Sequence, residues 1–386
     1  MPLCIDQVNI YSLLVPLKID LSISYETINA SRPVVVEVVA NRADIRGYGE
    51  GLPVQEVTGE TPEIVIRNLI RFVKNPNFPR EIYHVDQIFA FLDSLPKGKQ
   101  FHAAICAMEL ALLDALGKYE GKSLTDYFSH EFWTNKVRYG VIIPILKEKQ
   151  LIGMCSAIKE MKLTDLRIKM GNSLDQNEMC VRLVREILSE RCNLRADVNR
   201  AWDLHLARQH ISLIKNYGIR VIEEPMPPGE KGFQEFAASM KDIGVTLMAC
   251  ESAPSFEDIK RIVQEGYFEM VNVRVSRSGG LRKALRIIHY LRNHGISFQI
   301  GCSRGETGIL SAAGRALALL CKDAVYVDGS YDAFLLKENI TTEDVSFGLG
   351  GEAGPLLGNG LGVEVEPDRI SSLCVKSHSI SISRAT

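Results

Sequence analysis

Five charged residues recur at the ends of strand-like runs in the second half of this 386-residue chain: Lys169, Asp197, Glu223, Glu251 and Arg274. The runs are Leu166-Arg167-Ile168-Lys169, Arg195-Ala196-Asp197-Val198-Asn199, Val221-Ile222-Glu223-Glu224-Pro225, Met248-Ala249-Cys250-Glu251 and Asn272-Val273-Arg274. Read from their positions, the steps are 28, 26, 28 and 23 residues, the length of one strand, one helix and two short loops. In a parallel barrel the C-terminal strand ends share one mouth. Three carboxylates would then meet a lysine and two arginines, Arg167 and Arg274, around one pocket. Hard oxygen ligands beside a basic side chain suit a divalent cation working next to a proton acceptor.

The chain is long enough to bury an α/β barrel and a second domain. Its formal net charge is −2, and the basic residues are scattered among acids. That argues against a nucleic-acid partner. The opening Met1-Pro2-Leu3-Cys4-Ile5-Asp6 lacks the basic start and apolar core of a signal peptide. No uninterrupted apolar run approaches the ~18 residues of a membrane span. Nine cysteines with no CxxC pair read as free thiols in a reducing, cytoplasmic setting.

To place the five residues, the sequence must supply a barrel, and its periodicity does. The first part reads as strands at 8–14, 33–39 and 45–51, then helices at 62–73, 85–95 and 102–116, the last stopping at Gly117. From Val137 the pattern changes. Apolar runs alternate with amphipathic helices at 151–161, 174–188, 201–217, 233–243, 256–266, 281–294 and 307–320, with later strands at 297–300 and 325–327. Eight strands with seven helices between them is the pattern of a parallel barrel. The glycines Gly348, Gly350 and Gly351 precede a strand-like Val363-Glu364-Val365 rather than a helix, so they read as a covering loop and not a phosphate cradle.

These strand ends, in this order of domains, resemble the enolase superfamily, and within it the muconate-lactonizing-enzyme group and its mandelate-racemase relatives. Residues 104–118 look like that group's final cap helix. Ser276-Arg277-Ser278-Gly279-Gly280-Leu281 resembles the turn after its sixth strand, and Gly358-Asn359-Gly360-Leu361-Gly362-Val363-Glu364 its closing motif. The resemblance implies an α/β fold: a modified TIM barrel, (β/α)7β, over residues 131–340. An N-terminal α+β capping domain over 1–130 would precede it, completed by a C-terminal segment, 341–386, that returns to the cap.

The resemblance further implies one Mg2+, with Mn2+ as the substitute, on Asp197, Glu223 and Glu251. The group's third ligand falls on Cys250 or, in the mandelate-racemase pattern, on Glu251. A soft thiolate suits magnesium poorly, so Glu251 is the ligand expected and zinc or iron on sulfur the alternative. The group's Lys-x-Lys reads here as Arg167-x-Lys169, and its sixth-strand lysine as Arg274. Lys169 is then the general base. Arg274, permanently charged, is an electrostatic clamp on an anionic oxygen. Asn199, Glu306 and Asp328 are expected to meet substrate, a small carboxylate, in a homo-oligomer without nucleic-acid or membrane partners. Tyr331 and Asp332 lie nearby, and the loops 18–31 and 52–61 would close over the mouth. His102 and His289 read as helix packing or surface residues.

The chemistry expected is abstraction of a proton alpha to a carboxylate, giving an enediolate. One base and one clamp fit an elimination or a cycloisomerisation. The alternative is a two-base racemase or epimerase acting on an amino acid or dipeptide. A barrel that has lost catalysis and a Schiff-base aldolase using Lys169 are further readings.

Overall fold

In the computed structural model, which describes residues 1–22 and 27–383, the cap begins with β1 (Leu3–Leu13), β2 (Val15–Ser22) and β3 (Thr27–Ser31). Next come β4 (Val34–Ala40) and β5 (Ile45–Gly51), then helices α1 (Pro62–Val73), α2 (Val85–Ser94) and α3 (His102–Glu120). Strands β1, β4 and β5 form an antiparallel sheet, while β2 and β3 pair as a separate hairpin. The middle of the loop expected over the mouth, residues 23–26, lies outside the described residues.

Three alternating glycines dock α3 on the cap sheet. Side chains alternate along a strand, so Gly47, Gly49 and Gly51 share one face of β5. A Cβ at Gly49 would lie 2.0 Å from the Ala107 carbonyl oxygen, and one at Gly51 2.0 Å from that of Ala103. Ala103, Ala107, Ala111 and Ala115 recur every four residues, one face of a helix. Helix α3 is apolar and long enough to cross a membrane, yet 89% of that stretch is buried inside the protein. It is the core element between sheet and barrel. It continues through Gly117 to a left-handed cap at Gly121. Gly117 is a close-approach residue instead: a Cβ there would meet the Gly360 backbone at 2.7 Å.

The barrel strands are β6 (Val141–Ile143), β7 (Asp165–Lys169), β8 (Asn193–Asp197), β9 (Ile219–Glu223), β10 (Thr246–Ala249), β11 (Met270–Arg274), β12 (Ser297–Gly301) and β13 (Tyr326–Val327). They form one eight-stranded parallel sheet in chain order. The Gly140 N–H donates to the Val327 carbonyl at 2.8 Å across the seam between first and last strands. The intervening helices are α4 (Glu148–Glu160), α5 (Leu174–Leu188), α6 (Leu204–Asn216), α7 (Phe233–Asp242), α8 (Phe256–Glu265), α9 (Leu281–Asn293) and α10 (Gly308–Leu319). Val137–Arg138 is not part of β6; it pairs with Glu352–Ala353 near the glycine-rich loop. Of the run 363–365 only Val365 bridges, to Thr341. The tail ends in β14 (Cys374–Ser381), antiparallel to β1.

Cap and barrel meet through buried acids seated on helix N-termini, where backbone N–H groups lack partners. Glu50 lies between two of the docking glycines, so it faces away from α3. It accepts from Thr307 N (3.1 Å), Thr307 Oγ1 (2.6 Å) and Leu310 N (3.0 Å) at the start of α10. Glu109 of α3 accepts from Arg282 N at the start of α9, and within the cap Glu60 accepts in the same way from Ala103 N at the start of α3. Burial pushes all three carboxyls up to about 7. A carboxyl raised in the folded state keeps a proton that the unfolded chain has released, so its contribution is lost as pH rises through about 7. Thermal unfolding should therefore show a falling Tm between about pH 5 and 8, with a shallower fall in Glu109→Gln. A Tm that climbs across that window in the wild type would contradict this account.

Candidate active site

Strand alternation turns Arg167 and Lys169, Arg195 and Asp197, Asn272 and Arg274 toward the barrel axis in pairs. Parallel pairing sets Lys169 opposite Asp197, and Asp197 opposite Glu223, at one level of the sheet. Lys169 Nζ lies 2.5 Å from Asp197 Oδ2 and 2.7 Å from Asn199 Oδ1. Asn199 in turn donates from Nδ2 to Glu251 Oε1 at 2.6 Å. Arg167 Nη1 donates to Glu223 Oε2 at 2.8 Å and lies 3.5 Å from Asp197 Oδ2. Asn272 Nδ2 donates to the other Glu223 oxygen at 2.7 Å, with Arg274 Nη2 3.8 Å from it. The loops after β8 and β9 carry Asn199, Arg200 and Glu224 at φ of 48°, 63° and 45°. Side chains other than glycine adopt that region at a cost, and such residues concentrate at functional sites.

Burial and then repulsion from Glu223 push Asp197 up to about 6. Burial opposes the charge on Glu223 too, but Arg167, then Arg274 and Lys169, outweigh it and hold that carboxyl well below its usual range. The Glu251 carboxyl is also lowered: burial and Glu223 work against its charge, while Arg274, Lys169 and the Asn199 hydrogen bond favour it.

The donor set bears on metal binding in two ways. Among the described residues no three acids, cysteines or histidines form a ready-made ligand cluster, because Lys169 and Arg167 stand against the oxygens of Asp197 and Glu223. Glu251 Oε2, however, is buried and has no hydrogen-bond partner among the described residues. A buried carboxylate oxygen without a partner, beside two further carboxylates, is costly unless a cation completes it. The residues present thus fit a hard divalent ion that displaces the lysine ammonium.

The remaining expected residues sit as follows. Cys250 Sγ accepts from Arg274 Nη2 at 2.9 Å and from Arg277 Nη1 at 3.1 Å. The sulfur is engaged with two guanidiniums. Asp328 lies deeper, its two oxygens 2.9 and 3.1 Å from Arg195 and one of them 3.2 Å from Arg167 Nε. Glu306 follows β12 and lines a small cavity with Cys302, Val275, Tyr139 and Asp328. Tyr331 donates its hydroxyl to the Gly140 carbonyl, and Asp332 accepts from Ser311 and Asn339. His102 packs at the cap–barrel junction, its Nδ1 2.6 Å from the Arg277 carbonyl.

Arg277, Arg195 and Asn272 were not singled out from sequence, although each acts on the site. For Arg195 a signal existed: it stands two residues before Asp197 and therefore shares its face.

A parallel barrel under a cap, with acids at or just beyond the ends of three successive strands and a lysine on the strand before them, defines a class of enzyme. Residues 153–369 match the family described as enolase C-terminal domain-like, and the chain belongs to that family, within the enolase superfamily's muconate-lactonizing and mandelate-racemase group. It is an enzyme of the isomerase or lyase kind, and the reading as a barrel that has lost catalysis gives way. A hydrophobic dipeptide epimerase of Enterococcus faecalis is 27% identical over 379 residues, covering 94% of this chain and 96% of its own. The o-succinylbenzoate synthase of Bacillus subtilis is 27% identical over 372 residues, covering 94% and 95%. The crystal structure of a dipeptide epimerase from Enterococcus faecalis, complexed with Mg and the dipeptide L-Leu-L-Tyr, superposes with a TM-score of 0.81 at 24% identity, covering 94% and 99%.

Proposed function

We propose that this chain epimerises a dipeptide or an N-acylated amino acid by moving the proton alpha to its carboxylate. The observation that carries the reading is Lys169, held at the mouth by Asp197 and Asn199. The comparisons with epimerases support this outcome over the elimination placed first from sequence. Asp197, Glu223 and Glu251 would hold Mg2+, which when bound supplies positive charge to the enediolate oxygens. Lys169, parted from Asp197, is the amine that takes the α-proton. Arg274, anchored on Cys250, faces the developing anion with a fixed positive charge; burial opposes that charge, but Cys250 and Glu223 raise its pKa above the ordinary arginine value. Arg167 neutralises Glu223 beneath the pocket.

Elimination remains a second reading because of Arg274. Epimerisation needs a proton carrier on the face opposite Lys169, and a permanent cation is a poor one. Incubating dipeptides, N-succinyl amino acids and hydroxy acids with enzyme and Mg2+ in deuterated water separates the two. Epimerisation gives α-deuterated product of inverted configuration, elimination gives an unsaturated product, and absence of both across the panel would sink the reading.

Asp197→Asn and Glu251→Gln should each lower Mg2+ affinity at least ~10-fold in a calorimetric titration, since each removes a hard anionic ligand. Unchanged affinity in Glu251→Gln together with loss in Cys250→Ser would move the third ligand to sulfur.

A further inference from the structure

Away from the barrel mouth the fold holds a cavity of about 200 Å³. We infer that it is a second binding site, and that it takes a small aromatic carboxylate about the size of benzoate. The site is independent of the chemistry at Lys169 and adds a ligand that the proposed reaction does not use.

Three segments enclose the cavity: residues 123–133 after α3, helix α10, and the closing motif at 355–361. The α10 wall is Ala312, Arg315, Ala316 and Leu319, whose spacing of three and four puts them on one helical face. Hydrogen bonds pin the corners. The Leu124 N–H donates to the Gly360 carbonyl at 2.6 Å and the Thr134 N–H to the Leu319 carbonyl at 2.8 Å. Arg315 Nη1 donates to the Gly354 carbonyl at 3.0 Å. The space is therefore built into the fold, as ligand pockets usually are. Asp126 and His130, both exposed, also line it and mark where it opens to solvent.

The walls call for an apolar ring. Leu124, Ala312, Ala316, Leu319 and Leu361 are buried and apolar. Trp133 stacks on His130 with ring centroids 4.9 Å apart and planes at 22°, which sets aromatic surface at the opening. A dry apolar cavity of about 150 Å³ accepts benzene, so this one has room for a benzene ring and a small polar group.

Arg315 sets the charge of that group. It is 3% exposed and permanently cationic, yet its hydrogen-bond partners are all neutral. They are Tyr139 Oη at 2.8 Å, Ser330 Oγ at 3.3 Å, and the carbonyls of Val345, Ser346 and Gly354. A buried cation is costly unless a counter-charge meets it. Nε and Nη2 bond to groups that are not part of the cavity wall. Nη1 bonds to Gly354, next to Pro355 and Leu356 of the wall, and has a second proton to give. A carboxylate entering the cavity supplies an acceptor for that proton and the charge that Arg315 lacks. The acid among the lining residues, Asp126, sits at the exposed rim and accepts from the Ser123 N–H at 2.9 Å. His130 Nε2 lies 3.1 Å from the Thr125 carbonyl.

The test is a titration of the full chain with benzoate, and separately with benzyl alcohol, followed by tryptophan emission. The chain has two tryptophans, Trp133 and Trp202, so Trp133→Phe isolates the signal from the cavity. Benzoate should change the wild-type emission saturably and leave that of Trp133→Phe unaltered. Benzyl alcohol keeps the ring and loses the charge-assisted bond, and should bind at least ~10-fold more weakly. Ala316→Leu fills the cavity and leaves the guanidinium in place, so it should abolish the benzoate response; Ala312→Val serves the same purpose should the leucine variant fail to fold. Lys169→Ala should respond as wild type does, which separates this site from the barrel mouth. The inference is overturned by a wild type that shows no saturable response, or by benzyl alcohol binding as tightly as benzoate. It is equally overturned by a wild-type response in a folded cavity-filling variant, or by its loss in Lys169→Ala.

Discussion

Lys169→Ala is expected to lose turnover and α-proton exchange together, by at least the ~10² typical of a general base. What Lys169 touches sets this expectation. Its ammonium is bound to Asp197 and Asn199, and Asp197 is one of the oxygens a metal would take. Ammonium and metal therefore compete for one carboxylate. Removing the lysine should leave Mg2+ affinity unchanged or tighter while exchange disappears, a combination that general damage to the site would not give. Lys169→Arg should be as inactive as the alanine variant, because it keeps the charge and loses the removable proton. Exchange at the wild-type rate in either variant would require another base.

The second large effect is expected at Arg274. Its guanidinium is fixed by Cys250 at 2.9 Å and lies 3.8 Å from Glu223, so it is oriented before substrate arrives. Preorganised donors facing a developing oxyanion are worth about 10²–10³ in kcat. Arg274→Met should lose that much. Arg274→Lys should keep part of it, since a positive charge still faces the anion without the planar grip on sulfur and substrate. The measurement is kcat and KM for both variants, with Cys250→Ser as a third. If orientation by sulfur matters, Cys250→Ser should lower kcat more than it raises KM. Exchange that survives in Lys169→Ala but vanishes in Arg274→Lys would reverse the roles and make Arg274, or a group it positions, the base.

The barrel was legible in sequence because a parallel barrel imposes two rhythms at once. One is apolar strands alternating with amphipathic helices; the other is a polar residue at each strand end every 23 to 28 residues. The second rhythm drew together Lys169, Asp197, Glu223 and Glu251. The network beneath them was harder to read. Asp328 is set against Arg195 and Arg167, residues 133 and 161 positions earlier by their numbers, and no local pattern reveals which inward-facing charges will meet across a ring. The place of Cys250 against Arg277, on the turn after the sixth strand, has no local signal either. Gly117 misled because a glycine near a helix end is read as a cap. Its purpose is to admit the Gly360 backbone of the closing motif, 243 positions later by number, and tertiary packing of that range leaves no mark on a helical pattern.

In the proposed reaction one amine, Lys169, removes an α-proton from a carboxylate substrate. The most direct measurement is loss of the α-proton signal in deuterated water for a dipeptide presented with Mg2+ to wild type and to Lys169→Ala at equal concentration. The signal should fade with wild type and persist at least ~10²-fold longer with the variant. Loss at the same rate with both proteins would contradict it.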